Sequence, residues 1–207
     1  MQVELQNISK NFQSHAVFTG VNLTLPYGYK GVILGGNGSG KSTLLKVISG
    51  ALTPSSGKIV FSENGKPIPA ESHYQKVAFC GPYTDLIEDF TLIELIQFQQ
   101  KFRPFLAGIK QAEILGWLNL KRFENSQIKT YSSGMKQRVR LALTIFSNVP
   151  LLLLDEPTSN LDPEGKLWYR KLVEAHLGNR SAIVASNFFE DEYFFAEDEI
   201  ALRDFQK

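Results

Sequence analysis

The sequence has a single cysteine, Cys80, and only three histidines and two tryptophans, and its charges nearly cancel, with 22 lysines and arginines against 21 aspartates and glutamates. One cysteine excludes an internal disulfide framework and fits a reducing compartment. Cys80 ends the apolar run Val77-Ala78-Phe79 and reads as a buried structural thiol rather than a nucleophile. The charges are spread along the chain, and no basic block offers a nucleic-acid footprint, so no DNA or RNA partner is expected. No uninterrupted apolar run approaches the roughly 18 residues needed to cross a bilayer. Residues 1–6 alternate like a strand and lack the apolar core of a signal peptide. The expectation is a soluble chain whose membrane work would pass through another protein. Repeats, low-complexity tracts and long linkers are lacking too.

What is present is an α/β pattern. The 207 residues, 43% of them hydrophobic, suffice for a full core. Val32-Ile33-Leu34, Val77-Ala78-Phe79, Leu151-Leu152-Leu153-Leu154 and Ala182-Ile183-Val184-Ala185 are apolar nearly throughout. Such runs, separated by helical stretches, predict strands covered on both faces in a mostly parallel central sheet. Residues 1–30 and 57–62 alternate instead and carry turn signals such as Pro26-Tyr27-Gly28, which predicts an antiparallel flank. Residues 83–130 lack strand signals and read as a helical insertion. The expected organisation is one domain over 1–207, with 1–82 and 131–207 forming the sheet-bearing core with its β flank and 83–130 a helical subdomain. Met135, Val139, Ala142, Leu143 and Phe146 share one helical face, with Ser132 or Ser133 as N-cap.

Gly35-Gly36-Asn37-Gly38-Ser39-Gly40-Lys41-Ser42 is a complete G-x-x-x-x-G-K-[ST] phosphate-binding loop between a predicted strand and a predicted helix. Glycines let successive backbone N–H groups converge on an anion, and the helix N-terminus adds partial positive charge. Lys41 can reach the β- and γ-phosphates, the Ser42 hydroxyl can ligate Mg²⁺, and Thr43 follows in the first helical turn. A second cluster, Asp155-Glu156-Pro157, ends the Leu151-to-Leu154 strand, where side chains point into the ligand crevice of a parallel sheet. Asp155 fits a Mg²⁺ carboxylate, and Glu156 is placed to orient or deprotonate an attacking water.

Tyr131-Ser132-Ser133-Gly134-Met135-Lys136-Gln137-Arg138 resembles the L-S-G-G-Q signature of ATP-binding cassette (ABC) ATPases, with Tyr131 for the Leu, Ser133 for the first Gly and Met135 for the Gln. The order of loop, signature and Asp155-Glu156 extends the resemblance over essentially the whole chain. It implies a P-loop NTPase core that binds ATP and Mg²⁺ and pairs with a second cassette. In that family the signature residues Ser132, Ser133, Gly134 and Met135 contact the ATP held by the other subunit. Ser159-Asn160-Leu161-Asp162 matches the loop that crosses the dimer interface, placing Asp162 beside the nucleotide. Phe12 lies where an aromatic ring stacks on adenine, although a core phenylalanine remains an open alternative. The compact form is similar to bacterial transporter subunits, haem-exporter types included. The resemblance implies a cytoplasmic protein held at the inner face of the membrane by a transmembrane permease.

Two positions depart from the family pattern. Asn187 occupies the place of the switch histidine; it can donate a hydrogen bond to phosphate but carries no charge and shuttles no proton. Pro82 occupies the place of a glutamine and offers no side-chain oxygen to Mg²⁺. Slowed ATP hydrolysis is therefore expected, with a hydrolysis-impaired regulatory cassette, or a non-transport soluble ABC ATPase, as alternatives. The aromatic segment Pro82-Tyr83-Thr84-Asp85-Leu86-Ile87 with Phe90, Phe98, Phe102 and Phe105 reads equally as a permease-docking surface or as packing of the insertion.

Overall fold

The computed structural model describes residues 1–13, 15–82 and 84–205. Its strands are β1 (Gln2–Phe12), β2 (His15–Leu25), β3 (Lys30–Leu34), β4 (Ser56–Glu63), β5 (Lys66–Pro67), β6 (Val77–Cys80), β7 (Leu151–Asp155), β8 (Ser181–Ser186) and β9 (Asp198–Glu199). Its α-helices are α1 (Lys41–Ser49), α2 (Leu92–Phe102), α3 (Gln111–Leu118), α4 (Ser133–Phe146), α5 (Pro163–His176) and α6 (Glu190–Tyr193). The chain divides into two compact units.

The first unit comprises Met1–Phe79, Val149–Glu156 and Asn179–Lys207. One sheet has the order β2-β1-β4-β5 and is antiparallel; the other has the order β6-β7-β8-β3-β9, in which β7, β8, β3 and β9 run parallel. All five residues of β7 and all six of β8 are buried, as expected for strands covered on both faces. In β1 the alternation puts Val3 and Leu5 inward, and an irregularity then restores Ile8 to the core. Asn7 takes a left-handed φ of 53° in that irregularity. Gly57 of β4 passes so close that a Cβ there would lie 2.3 Å from the Asn7 carbonyl oxygen. The apolar face of α1 (Leu44, Leu45, Val47, Ile48) joins the same core as Phe18, Phe61, Leu153 and Ile183.

The second unit comprises Cys80–Asn148 and Pro157–Gly178, so it takes in the 83–130 stretch together with α4 and α5. Thr91 and Glu94 close a reciprocal capping box at the start of α2. In α4 the buried face includes Val139, Leu141, Ala142, Ile145 and Phe146. Trp168 of α5 donates from Nε1 to the Trp117 carbonyl at 2.7 Å, and His176 lies against the rings of Trp117 and Phe146. His73, in the first unit, stacks on Phe61 at 4.1 Å, so both histidines are packing residues. Cys80 is fully buried.

Candidate nucleotide site

The loop of residues 35–42 leaves the end of β3 and enters α1 through Gly40, which has a φ of 88° and acts as N-cap. A Cβ at Gly40 would lie 2.6 Å from Cγ1 of Val17, so close packing and left-handed backbone both demand glycine there. Lys41 is 4% exposed, although it carries an ammonium group. Burial is tolerated because Nζ donates to the carbonyls of Gly35 (2.7 Å) and Gly36 (3.0 Å) and to Oδ1 of Asn187 (2.8 Å). Its pKa is lowered by burial, against the opposing pull of Glu156, Asp155 and Glu192.

Ser42, in the first turn of α1, donates its hydroxyl to Oδ1 of Asp155 at 3.0 Å. Asp155 ends β7 and is 2% exposed. Burial raises its pKa; the Ser42 hydrogen bond lowers it, and the neighbouring Glu156 charge raises it again. Glu156 follows with a φ of 46°, a left-handed conformation that stores strain in a residue with a side chain. Its N–H is held by the Ala185 carbonyl at 2.9 Å. Asn187, one residue beyond β8, joins these groups. Its Nδ2 donates to Oε1 of Glu156 at 2.7 Å and to Oδ1 of Asn37 at 2.8 Å, while Oδ1 accepts from Lys41. These partners fix the amide orientation, since only the nitrogen can donate.

The first unit therefore brings Gly35, Gly36, Asn37, Gly38, Ser39, Gly40, Lys41, Ser42, Asp155, Glu156 and Asn187 to one end of β3, β7 and β8, with Thr43 half-buried in the first turn of α1. Phe12 is 50% exposed at the end of β1, with Lys10 Nζ 5.0 Å from its ring centroid, and so is not a core residue. Among the described residues no group of three or more His, Cys, Asp or Glu side chains forms a metal centre. Ser42 and Asp155, 3.0 Å apart, are among the oxygen groups there that could serve a hard cation.

The signature lies in the second unit. Ser132, rather than Ser133, is the N-cap of α4, its Oγ accepting the Met135 N–H at 3.2 Å. Ser132, Gly134, Met135, Arg138, Asn160 and Asp162 help line a cavity of about 350 Å³. Asp162 has a task that the loop match did not reveal: its Oδ1 caps α5 by accepting the Gly165 N–H at 2.7 Å, and it lies 3.6 Å from Arg138. An Asp-Pro pair ahead of a helix was the available signal. Pro82 sits in a turn closed by two bonds, Gly81 N–H to Thr84 Oγ1 and Thr84 N–H to the Gly81 carbonyl, each 3.0 Å. Tyr83 lies outside the described residues. Phe98 contacts both Phe90 and Phe102, and Phe102 is 71% exposed. Phe105 is buried, which removes it from any docking surface.

A phosphate loop on a parallel sheet, with two carboxylates at the end of the strand two places along, defines a P-loop nucleotide-binding protein. The sequence model of the family described as ABC transporter matches residues 18–159. The chain belongs to this family. It is 30% identical over 188 residues to the cytochrome c biogenesis ATP-binding export protein CcmA of Brucella abortus, covering 90% of this chain and 85% of that protein. It is 28% identical over 193 residues to the lantibiotic transport ATP-binding protein SrtF of Streptococcus pyogenes, covering 92% of this chain and 81% of that one. Its fold is similar to a dimeric ATP-binding cassette in a post-hydrolysis state bound to ADP and Pi (TM-score 0.82, 24% identity, covering 99% and 95% of the two chains). A putative ABC transporter ATP-binding protein from Pyrococcus furiosus gives a TM-score of 0.80 at 23% identity, with both chains fully covered. The protein is thus an ABC ATPase, the ATP-binding subunit of an ATP-driven transporter.

Proposed function

We propose that the chain binds Mg²⁺·ATP through residues 35–43 and hydrolyses it slowly, with Glu156 as base and Asn187 as a neutral partner of the γ-phosphate. The bonding of Asn187 to Lys41, Asn37 and Glu156 carries this reading. It supplies a fixed hydrogen-bond donor where a charged switch would otherwise sit. Lys41 exchanges its carbonyl partners for phosphate oxygens, Glu156 takes a proton from the attacking water, and Asn187 keeps both aligned. Ser42 and Asp155 fit Mg²⁺, which prefers hard oxygen ligands and, when bound, offsets charge on the phosphates. Phe12, exposed and cationically flanked, stacks on adenine.

On the same reading Ser132, Ser133, Gly134, Met135 and Asp162 complete the site of a second cassette, and residues 83–130 act as the helical subdomain of a single 1–207 ATPase domain. Similarity to proteins of lantibiotic transport and cytochrome c biogenesis export supports work at the cytoplasmic face of a membrane, through a separate permease. Ile87, Phe98 and Phe102, exposed and apolar, form its docking face. Among the described residues no helix is long and apolar enough to cross the membrane.

Mg²⁺·ATP turnover by the purified chain tests this, with Glu156→Gln and Lys41→Ala as controls. Turnover lost in both supports an active motor. Binding without turnover above the Glu156→Gln level favours the second reading, a regulatory cassette, which Asn187 and the side-chain oxygen missing at Pro82 motivate.

A further inference from the structure

Gln137 is 1% exposed, a polar amide set among the apolar side chains of α4. Buried amides are kept where their bonds are made, and both ends of this one are engaged. Nε2 donates to the Pro157 carbonyl at 2.9 Å, and Oε1 accepts from Arg140 Nη1 at 3.3 Å. Arg140 lies one turn along the same helix and also donates from Nε to the Thr84 carbonyl at 2.7 Å. The direction of each link is set by chemistry. Arginine only donates, carbonyls only accept, and a flipped Gln137 amide would set oxygen against oxygen at Pro157 and donor against donor at Arg140.

This chain of bonds ends at two informative places. Thr84 closes the turn that holds Pro82, through reciprocal bonds with Gly81. Pro157 immediately follows Glu156, whose left-handed backbone is strained and further restricted by the proline after it. A strained conformation persists only when its surroundings over-determine it. The Glu156 N–H is fixed by Ala185, and the carbonyl of the following residue, Pro157, is fixed by Gln137.

We propose that Arg140 and Gln137 are positioning residues for ATP hydrolysis: anchored on the Thr84 carbonyl, they hold the Pro157 carbonyl and so steady the chain that leads directly out of Glu156. The inference rests on the assignment of Glu156 as the base. Neither residue is among the groups assigned above to the nucleotide.

The test compares Arg140→Met, Gln137→Met and the double variant in the full chain, by steady-state ATP hydrolysis and by amide hydrogen exchange without nucleotide. Each single change should lower kcat about tenfold, the scale of a small misalignment, while KM for ATP stays within about twofold. The double variant should be no slower than the slower single one, because a line cut once gains nothing from a second cut. In Arg140→Met, amides at residues 158–161 should exchange faster, although Arg140 bonds to none of them. Unchanged kcat in Arg140→Met, multiplying losses in the double variant, or unchanged exchange at 158–161 would each overturn the proposal. Arg140 is partly exposed, so its variant carries the test even where Gln137→Met does not fold. If the wild-type chain itself shows no turnover, the assignment of Glu156 fails, and exchange alone decides whether the relay stands.

Discussion

Asn187 donates a hydrogen bond to Glu156, Nδ2 to Oε1, across 2.7 Å. The donor is neutral at every physiological pH, so the alignment of Glu156 does not depend on a titrating switch. ATP turnover is expected to be flat between about pH 6 and 8, where an imidazole would change charge. In Asn187→His the rate should rise by up to about tenfold and acquire a dependence on an ionisation near 6.5. A pH–rate profile of both proteins checks this.

Removing the Asn187 amide should cost more than replacing it. Asn187→Ala strips partners from Glu156, Asn37 and the buried Lys41 ammonium together. The expected result is a fall in kcat of about tenfold or more, with weaker ATP binding, measured by steady-state kinetics and calorimetry.

Asp155 carries a raised pKa because it is buried. The folded state therefore holds its proton more tightly than the unfolded state does. Its contribution to stability is fully present below the unfolded value and is lost as pH rises through the raised folded value. Without nucleotide or metal, Asp155→Asn should raise the melting temperature at pH 7, and the gain should vanish near pH 4. Melting curves of the two proteins across that range decide it; a gain that grows with acidity would refute the assignment.

Asp162 caps α5 through Gly165. Asp162→Ala should lower stability by about 1 kcal/mol, seen as a drop of about 2–4 °C in melting temperature. Asp162→Asn, which still offers an oxygen to the cap, should lose much less. Any larger effect of the Asn variant on ATPase than on melting would separate the interface role from the cap.

Gly57 offers a purely structural check. A Cβ there meets the Asn7 carbonyl at 2.3 Å on a left-handed backbone, so Gly57→Ala should destabilise by roughly 1–3 kcal/mol without touching the site. Chemical denaturation measures it.

The parts legible in the sequence were those with local causes. Unbroken apolar runs marked β3, β6, β7 and β8 because a strand covered on both faces has no polar side to show. The phosphate loop was legible because its backbone demands a particular spacing of glycines. Hidden were the parts made by distant residues. Asn187 meets partners 31, 146 and 150 positions away, and no local pattern announces such a meeting. Gln137 could be placed within the signature helix, but its burial and its bond to Pro157 depend on how the chain returns through the second unit. β9 is two residues long and carries no periodicity at all. The turn at residues 81–84 showed its missing glutamine, yet not the Thr84 carbonyl that Arg140 reaches instead.

The solitary buried thiol described with the fold has a practical side. Because Cys80 is shielded from solvent and no other cysteine competes, a cysteine introduced at exposed Phe102 or Phe188 becomes a single addressable handle. The native background needs no editing, and distances between two such labels in an assembly could be followed in real time as nucleotide is added and consumed.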